Sequence, residues 1–282
     1  MVIDLHTHTF PEKMAASTVA KLADESHTRP FSDGSVPGLI RSMARAGVDY
    51  SVVLPVATNP RQVVKVNDIS IRMNQDDSPV LSFGCMHPDF PDWKDELARI
   101  AAQGIKGIKI HPSYQEARLD DPRFLRILDR CGELGLAVLS HGGIDIGLPP
   151  DENCTPATTL NAMRQVGPLK LIMAHMGGWR RWDEVEELLT HTTVCLDTSY
   201  TLGLIENGPD NYYSPEERIM LSDGQFVRMV RAFGAHRIYF GTDSPWGGQE
   251  EDLVHFRSLP LTPEEQEAIL GGNAAKLLGL TH

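Results

Sequence analysis

Cysteine is scarce and scattered. The four thiols, Cys85, Cys131, Cys154 and Cys195, form no Cys-x-x-Cys pair, which excludes a disulfide framework and a thiolate zinc knuckle. Cys85 and Cys195 fall in apolar, strand-like runs and are expected as buried, reduced thiols. Long apolar stretches are also missing: none of the 282 residues belongs to a run approaching the roughly 18–20 needed to span a bilayer, so no membrane partner is expected. The N-terminus lacks a basic segment leading into an apolar one, and the expected address is cytoplasmic. Positive charge is in deficit. A formal net charge of −12 repels phosphate backbones and argues against nucleic acid as a partner. No low-complexity segment or Gly/Ser linker divides the chain, which reads as one domain, 1–282. No Gly-x-Gly-x-x-Gly follows the first apolar run, which removes the main support for a doubly wound nucleotide-binding sheet.

What is present is an alternation. Eight short apolar or β-branched runs recur: VIDLH (2–6), YSVVLP (50–55), VLSFGC (80–85), GIKGIKI (104–110), LAVLS (136–140), LKLIMA (169–174), TVCLD (193–197) and RIYFGT (237–242). Most are continuous rather than alternating, as parallel strands buried on both faces require. Helical spacing fills the gaps. The stretch 36–48 places Leu39, Ile40, Met43 and Ala44 on one face and ends at Gly47; 121–135 opens with Asp121 and Pro122 and stops near Gly135. Further helices are expected over 183–189, over 214–234 with an interruption near Asp223–Gly224, and over 262–280 with a pause at Gly271–Gly272. Strand then helix, repeated eight times, predicts an α/β fold of the (β/α)8 TIM-barrel type, in one domain.

In such a barrel, chemistry is built at the C-terminal ends of the strands. Six of the eleven histidines lie there: His6 and His8 after the first run, then His87, His111, His141 and His175 after the third to sixth. Asp243 follows the eighth. In "IDLHTHTFP", side chains two apart share a face, so Asp4, His6 and His8 line one side of the strand. Any one histidine could merely cap a strand end. Together, His6, His8, His141 and Asp243 form a donor set of imidazole nitrogen and carboxylate oxygen that suits a divalent ion with one position left for water. Zinc is the first choice; manganese and iron accept the same donors.

The motifs "DLHTH", "SHGG" (140–143), "AHMGGW" (174–179), "GTDSPWG" (241–247) and "GGNAAKLLGL" (271–280) resemble the amidohydrolase superfamily. Within it they are most similar to the amidohydrolase-related branch that includes aminocarboxymuconate-semialdehyde decarboxylase. The resemblance covers the whole chain, with the motifs in the family's order. It implies that His6, His8 and His141 bind the metal, and that His175 orients or polarises the attacking water or ligates a second metal. It implies that Asp243 binds the metal and accepts a proton from its water. Strand four has two readings. Lys109, on one face with His111, resembles a lysine that some members carboxylate to bridge two metals. Alternatively it stays charged and, with His111, holds an anionic group of the substrate. The second reading is preferred, hence one metal. Asp4 is either a support for a ligand or a strand-start contact, and Asp197 points toward the same rim. Trp179, Trp182 and Trp246 either wall a pocket, Trp246 then touching substrate, or pack loops. Arg180 and Arg181 read as surface charge rather than a carboxylate clamp.

The resemblance implies hydrolysis of a small amide, lactone or related carboxylic compound by metal-activated water, with Asp243 as the base and His175 as the oxyanion or water partner. The alternative is non-oxidative decarboxylation of a small unsaturated or aromatic carboxylic acid on the same ligands. A TatD-like nuclease is disfavoured by the acidic charge and by Lys109 and His111 where those enzymes carry a glutamate. A catalytically dead scaffold is disfavoured because none of His6, His8, His141 or Asp243 is missing. The expected partner is a small-molecule substrate. A homodimer is compatible with the chain, although no interface patch can be read from it.

Overall fold

The computed structural model describes residues 1–280. The chain separates into two compact units, each assembled from more than one stretch. Met1–Val53, Asp145–Pro149 and the segment from Asp197 onward form the first; Leu54–Ile144 and Pro150–Leu196 form the second.

In the first unit the strand Ile3–Thr7 is buried along its whole length. It pairs in parallel with Tyr50–Val53, Ile3 opposite Tyr50 and Asp4 opposite Ser51, but Thr7 opposite Val53. The first strand therefore carries one extra residue between Asp4 and Thr7. Such an insertion bends the strand and re-aims its side chains, here around His6. On the other edge, the N–H of Leu5 donates to Phe240 O at 2.9 Å and that of Asp243 to His6 O at 2.8 Å. The segment following the strand Ile238–Tyr239 thus runs beside the first strand and carries Asp243 to it.

The helix Val36–Ala46 starts where the Ser35 side chain accepts from the Gly38 N–H, and closes at Gly47 with φ 71°, the left-handed cap glycine favours. The helix expected over 214–234 is shorter, Asp223–Phe233, because the Ser222 side chain caps it by accepting from Gln225 N–H. Asp223–Gly224 is its first turn rather than an interruption. The residues ahead of it form an antiparallel bridge, Leu204 with Ile219. Near the C-terminus, Thr262 and Glu265 make a reciprocal capping box. The chain does not pause at Gly271–Gly272 but widens into a π turn, Ala268–Gly272, and continues as the helix Asn273–Leu278.

In the second unit the strands Gly84–Cys85, Gly107–Ile110, Ala137–Ser140 and Leu171–Met173 pair in parallel sequence, with Lys109 opposite Leu139 and Ser140 opposite Met173. Their positions are buried throughout, as the continuous apolar runs require. The third run breaks at Phe83 into Val80–Ser82 and Gly84–Cys85. Two asparagines of the helix Val63–Gln75 serve the interrupted backbone: Asn74 bonds Ser82 N and O at 2.7 and 2.9 Å, and Asn67 bonds Cys85 N and O at 2.7 and 3.2 Å. The helix Pro122–Leu134 begins at Asp121, whose carboxylate accepts from Arg123 N–H, and ends at Gly135 with φ 69°.

All four cysteines are buried and stand outside any disulfide, and burial pushes the Cys85 and Cys131 thiols well up. Among the described residues no helix is long and apolar enough to cross a membrane.

Candidate metal centre

In the first unit the two imidazoles of the His-x-His pair do converge. The Nε2 atoms of His6 and His8 stand 3.2 Å apart. Asp243 Oδ1 lies 3.3 Å from the first and 3.0 Å from the second. Nitrogen and oxygen donors held about 2.0–2.2 Å from one zinc-like ion stand roughly 3.0–3.5 Å from one another, and the three edges of this triangle fall in that range. His6 is 1% exposed, His8 19% and Asp243 13%, so the set is shielded yet open on one side. Asp243 reaches it from a backbone at φ +66°, a conformation that costs a non-glycine residue about 1–3 kcal/mol.

The other ring nitrogen of His6, Nδ1, lies 2.8 Å from Asp197 Oδ2. With the Nδ1 hydrogen directed at Asp197, His6 Nε2 presents a lone pair toward the Asp243 carboxylate. Acceptors converging in this way suit positive charge between them, so the donor chemistry fits a divalent cation. Burial, and then the neighbouring Asp4, Glu251 and Asp243 carboxylates, raise the Asp252 carboxyl well above its ordinary range, as expected where negative charge is crowded.

Asp4 does not reach an imidazole ring. Its Oδ1 accepts from the backbone N–H of His6 at 3.2 Å and of Thr242 at 3.0 Å, and its Oδ2 from Thr242 Oγ1 at 2.6 Å and Gln249 Nε2 at 2.8 Å. Burial pushes this carboxyl up to about 6, with those hydrogen bonds opposing the rise. Asp4 therefore ties the strand of His6 to the segment of Asp243. Trp246 follows Asp243 and lines a cavity with Arg29, Phe31, Tyr200, Glu206 and Asp252.

In the second unit three rim histidines cluster, two of them stacked and the third edge-on. The His141 ring lies over that of His111, centroids 4.1 Å apart and planes 16° from parallel, and His141 Nδ1 is 3.1 Å from His175 Nε2. His175 sits at φ +60°, and its carbonyl accepts from the Trp182 indole at 3.0 Å. His111 Nδ1 accepts from the Tyr114 backbone N–H at 3.3 Å, so the neutral ring carries its hydrogen on Nε2 and acts there as a donor. Lys109 on the preceding strand is 1% exposed.

Other rim residues have structural roles. His87 Nδ1 accepts from Asp89 N–H at 3.1 Å. The ring also bonds the Thr58 backbone, and burial pulls its pKa below 6.5. Both nitrogens thus serve the local loops. Trp182 holds the His175 carbonyl, Arg180 lies over the Trp179 ring at 4.8 Å, and Arg181 pairs with Glu152 and Glu184. The residue whose importance sequence reasoning understated is Asp197. Its place at the end of the seventh strand put it at the rim, but nothing in "CLDTS" assigned it to His6.

Comparison with known proteins places these features in context. The family model described as amidohydrolase matches residues 3–280. The 2-amino-3-carboxymuconate-6-semialdehyde decarboxylase of Dictyostelium discoideum is 27% identical over 226 residues, covering 66% of this chain and 56% of that protein. The match thus spans little more than half of the relative's length. Among solved structures, an uncharacterized TIM-barrel protein from Bordetella bronchiseptica superposes with a TM-score of 0.74 at 18% identity, covering 99% of this chain and 98% of that one. The 5-carboxyvanillate decarboxylase of Sphingomonas paucimobilis superposes with a TM-score of 0.71 at 16% identity, covering 99% of each chain. At these identities the structural likeness carries the fold, and that fold is the TIM barrel the eightfold alternation predicts.

Proposed function

This chain belongs to the amidohydrolase family, and we propose that it is a metal-dependent enzyme releasing carbon dioxide, without oxidation, from a small unsaturated or aromatic carboxylic acid. The observation that carries the metal reading is the convergence of His6 Nε2, His8 Nε2 and Asp243 Oδ1 to within 3.0–3.3 Å of one another. Decarboxylation is preferred over the hydrolysis that sequence motifs alone favour because proteins named as decarboxylases stand among both the curated relatives and the solved structures.

His6, His8 and Asp243 would hold one divalent ion, with His141 as a further ligand on the strength of the family resemblance. Zinc is the first candidate, manganese or iron the others. The bound ion would supply positive charge that draws electron density from a substrate oxygen. The remaining work belongs to the side chains. Lys109 and His111 Nε2–H supply donors for an anionic oxygen of the substrate. His175 delivers a proton to the carbon that sheds carbon dioxide: the carbon–carboxylate bond breaks, its electron pair stays on that carbon, and the new C–H bond takes it up. Trp246 walls the substrate. Lys109 remains an ammonium, so one metal suffices.

The test is a panel assay of zinc- and manganese-loaded protein. Small aromatic and unsaturated carboxylic acids are followed for carbon dioxide release, and amides and lactones for acid release. Carbon dioxide from at least one acid, dependent on His8 and Asp243, is the expected result. Acid release from a lactone or amide with no carbon dioxide from any acid would return the protein to the hydrolases.

A further inference from the structure

Asp197 ends the strand Cys195–Asp197 and is fully buried. A buried carboxylate is costly unless its oxygens are hydrogen-bonded, and here both are. Oδ2 lies 2.8 Å from His6 Nδ1, while Oδ1 accepts from the Ser199 N–H at 3.0 Å and from the Ser199 hydroxyl. An ionised carboxylate can only accept, so it selects the His6 tautomer with hydrogen on Nδ1 and the lone pair on Nε2, the atom facing His8 and Asp243.

The next residue acts on the other half of the same triad. Thr198 Oγ1 donates to Gly241 O at 2.9 Å and accepts from Gly241 N–H at 3.1 Å. One hydroxyl thereby grips both backbone groups of the residue two positions ahead of Asp243. The turn Asp197–Thr198–Ser199 touches His6 through its ring and the Asp243 segment through its backbone, with a separate side chain for each.

We infer that Asp197–Thr198–Ser199 is the positioning frame of the metal centre, in which Asp197 fixes the ligating tautomer of His6, Ser199 fixes Asp197, and Thr198 fixes the approach of Asp243. The inference rests on the metal reading given above and adds to it residues that touch neither ion nor substrate. A carboxylate behind a ligating histidine orients the ring and raises its basicity, and losing such a partner lowers metal affinity by roughly 10–100-fold.

The test compares wild type with Asp197→Asn, Ser199→Ala and Thr198→Val in two measurements. Zinc affinity is read by competition with a chromogenic chelator. The His6 tautomer is read in the metal-free protein from imidazole nitrogen-15 shifts and the low-field Nδ1–H proton. Asp197→Asn is expected to bind zinc about 10–100-fold more weakly and to lose the low-field proton. Ser199→Ala should weaken binding less and move that proton upfield. Thr198→Val should weaken binding while leaving the tautomer alone. If Asp197→Asn does not fold, Ser199→Ala, which retains the carboxylate, decides the matter. Folded variants with lowered melting temperature but wild-type zinc affinity and an unchanged His6 tautomer would overturn the inference, since a merely structural turn predicts that outcome. Wild-type protein that binds no divalent ion would instead fail the metal reading itself.

Discussion

Gly241 lies directly against His6: a β-carbon built on it would stand 2.8 Å from the His6 Cβ and 3.4 Å from the His6 backbone nitrogen. Neither neighbour is the far end of a flexible side chain. Gly241→Ala therefore pushes the first strand sideways at the residue whose ring must aim at Asp243. Overpacking of this kind costs about 1–3 kcal/mol. The expected outcome is a lowered urea midpoint together with zinc affinity reduced about tenfold, a loss of roughly 1.4 kcal/mol. Unchanged affinity in a stable Gly241→Ala protein would show that the donor triangle does not depend on this close approach.

Metal addition should raise the melting temperature. An ion that binds only the folded chain stabilises it by about 2.7 kcal/mol at a hundredfold excess over its dissociation constant. Differential scanning fluorimetry of chelator-treated protein with added zinc or manganese is expected to show this shift. His8→Ala should abolish most of it, because His8 supplies one of the three converging donors and is more exposed than His6. A full shift in that variant would place the ion elsewhere.

Particular residues show what the sequence could and could not disclose. The strands were legible because parallel strands buried on both faces read as continuous apolar runs, and their ends located His6, His8 and Asp243. Capping chemistry was equally legible at Asp121, where one side chain meets one nearby backbone N–H. The pairing of His6 with Asp197 was not, since it links positions 191 residues apart through a carboxylate whose neighbours give no local signal. The break at Phe83 was hidden for the same reason, its backbone partners being the helical Asn67 and Asn74. His87 and His111 look alike in the sequence, each one or two residues past a strand; only the fold shows that loops hold the His87 ring through both nitrogens while the His111 ring stacks on His141.

That difference between the two histidines is measurable. His87→Asn should spare metal binding and turnover while lowering stability, whereas His111→Asn should raise KM about tenfold or more with metal content intact. The pH profile adds a second check. Burial depresses the His87 pKa from 6.5, so its neutral form favours the folded state above that value. The contribution is lost as pH falls from 6.5 through the folded pKa, where the unfolded chain gains the proton first. Wild type minus His87→Asn should therefore show a stability difference that shrinks over that acidic window in denaturant titrations. A constant difference would mean that the ring's titration plays no part.

Asp121 offers a prediction of opposite character, remote from the metal. Hydrogen bonding to Arg123, opposed by desolvation, holds its carboxyl below 3.8, and Oδ1 caps the helix Pro122–Leu134 at 2.8 Å from Arg123 N. A depressed carboxyl contributes stability above its unfolded pKa and loses it as pH falls through the folded one. Asp121→Ala is expected to cost about 1 kcal/mol at neutral pH, mostly the cap, since the Arg123 pairing is solvent-screened. The deficit relative to wild type should narrow below pH 3.8. A deficit independent of pH would assign the effect to backbone propensity alone.

Lys109 decides between the two readings of strand four. Its side chain is 1% exposed. A carboxylated lysine would carry an anion and bring a second metal with it. A lysine that holds a substrate carboxylate stays an ordinary amine by mass. The second account predicts an intact mass without a carbon dioxide adduct, one metal per chain, and a Lys109→Met variant with full metal content whose KM for a carboxylate substrate rises tenfold or more. The first predicts an adduct in wild type, two metals, and loss of one of them in Lys109→Met. Native mass spectrometry paired with metal analysis separates the two, and an adduct with two metals would replace the single-ion site proposed for this protein.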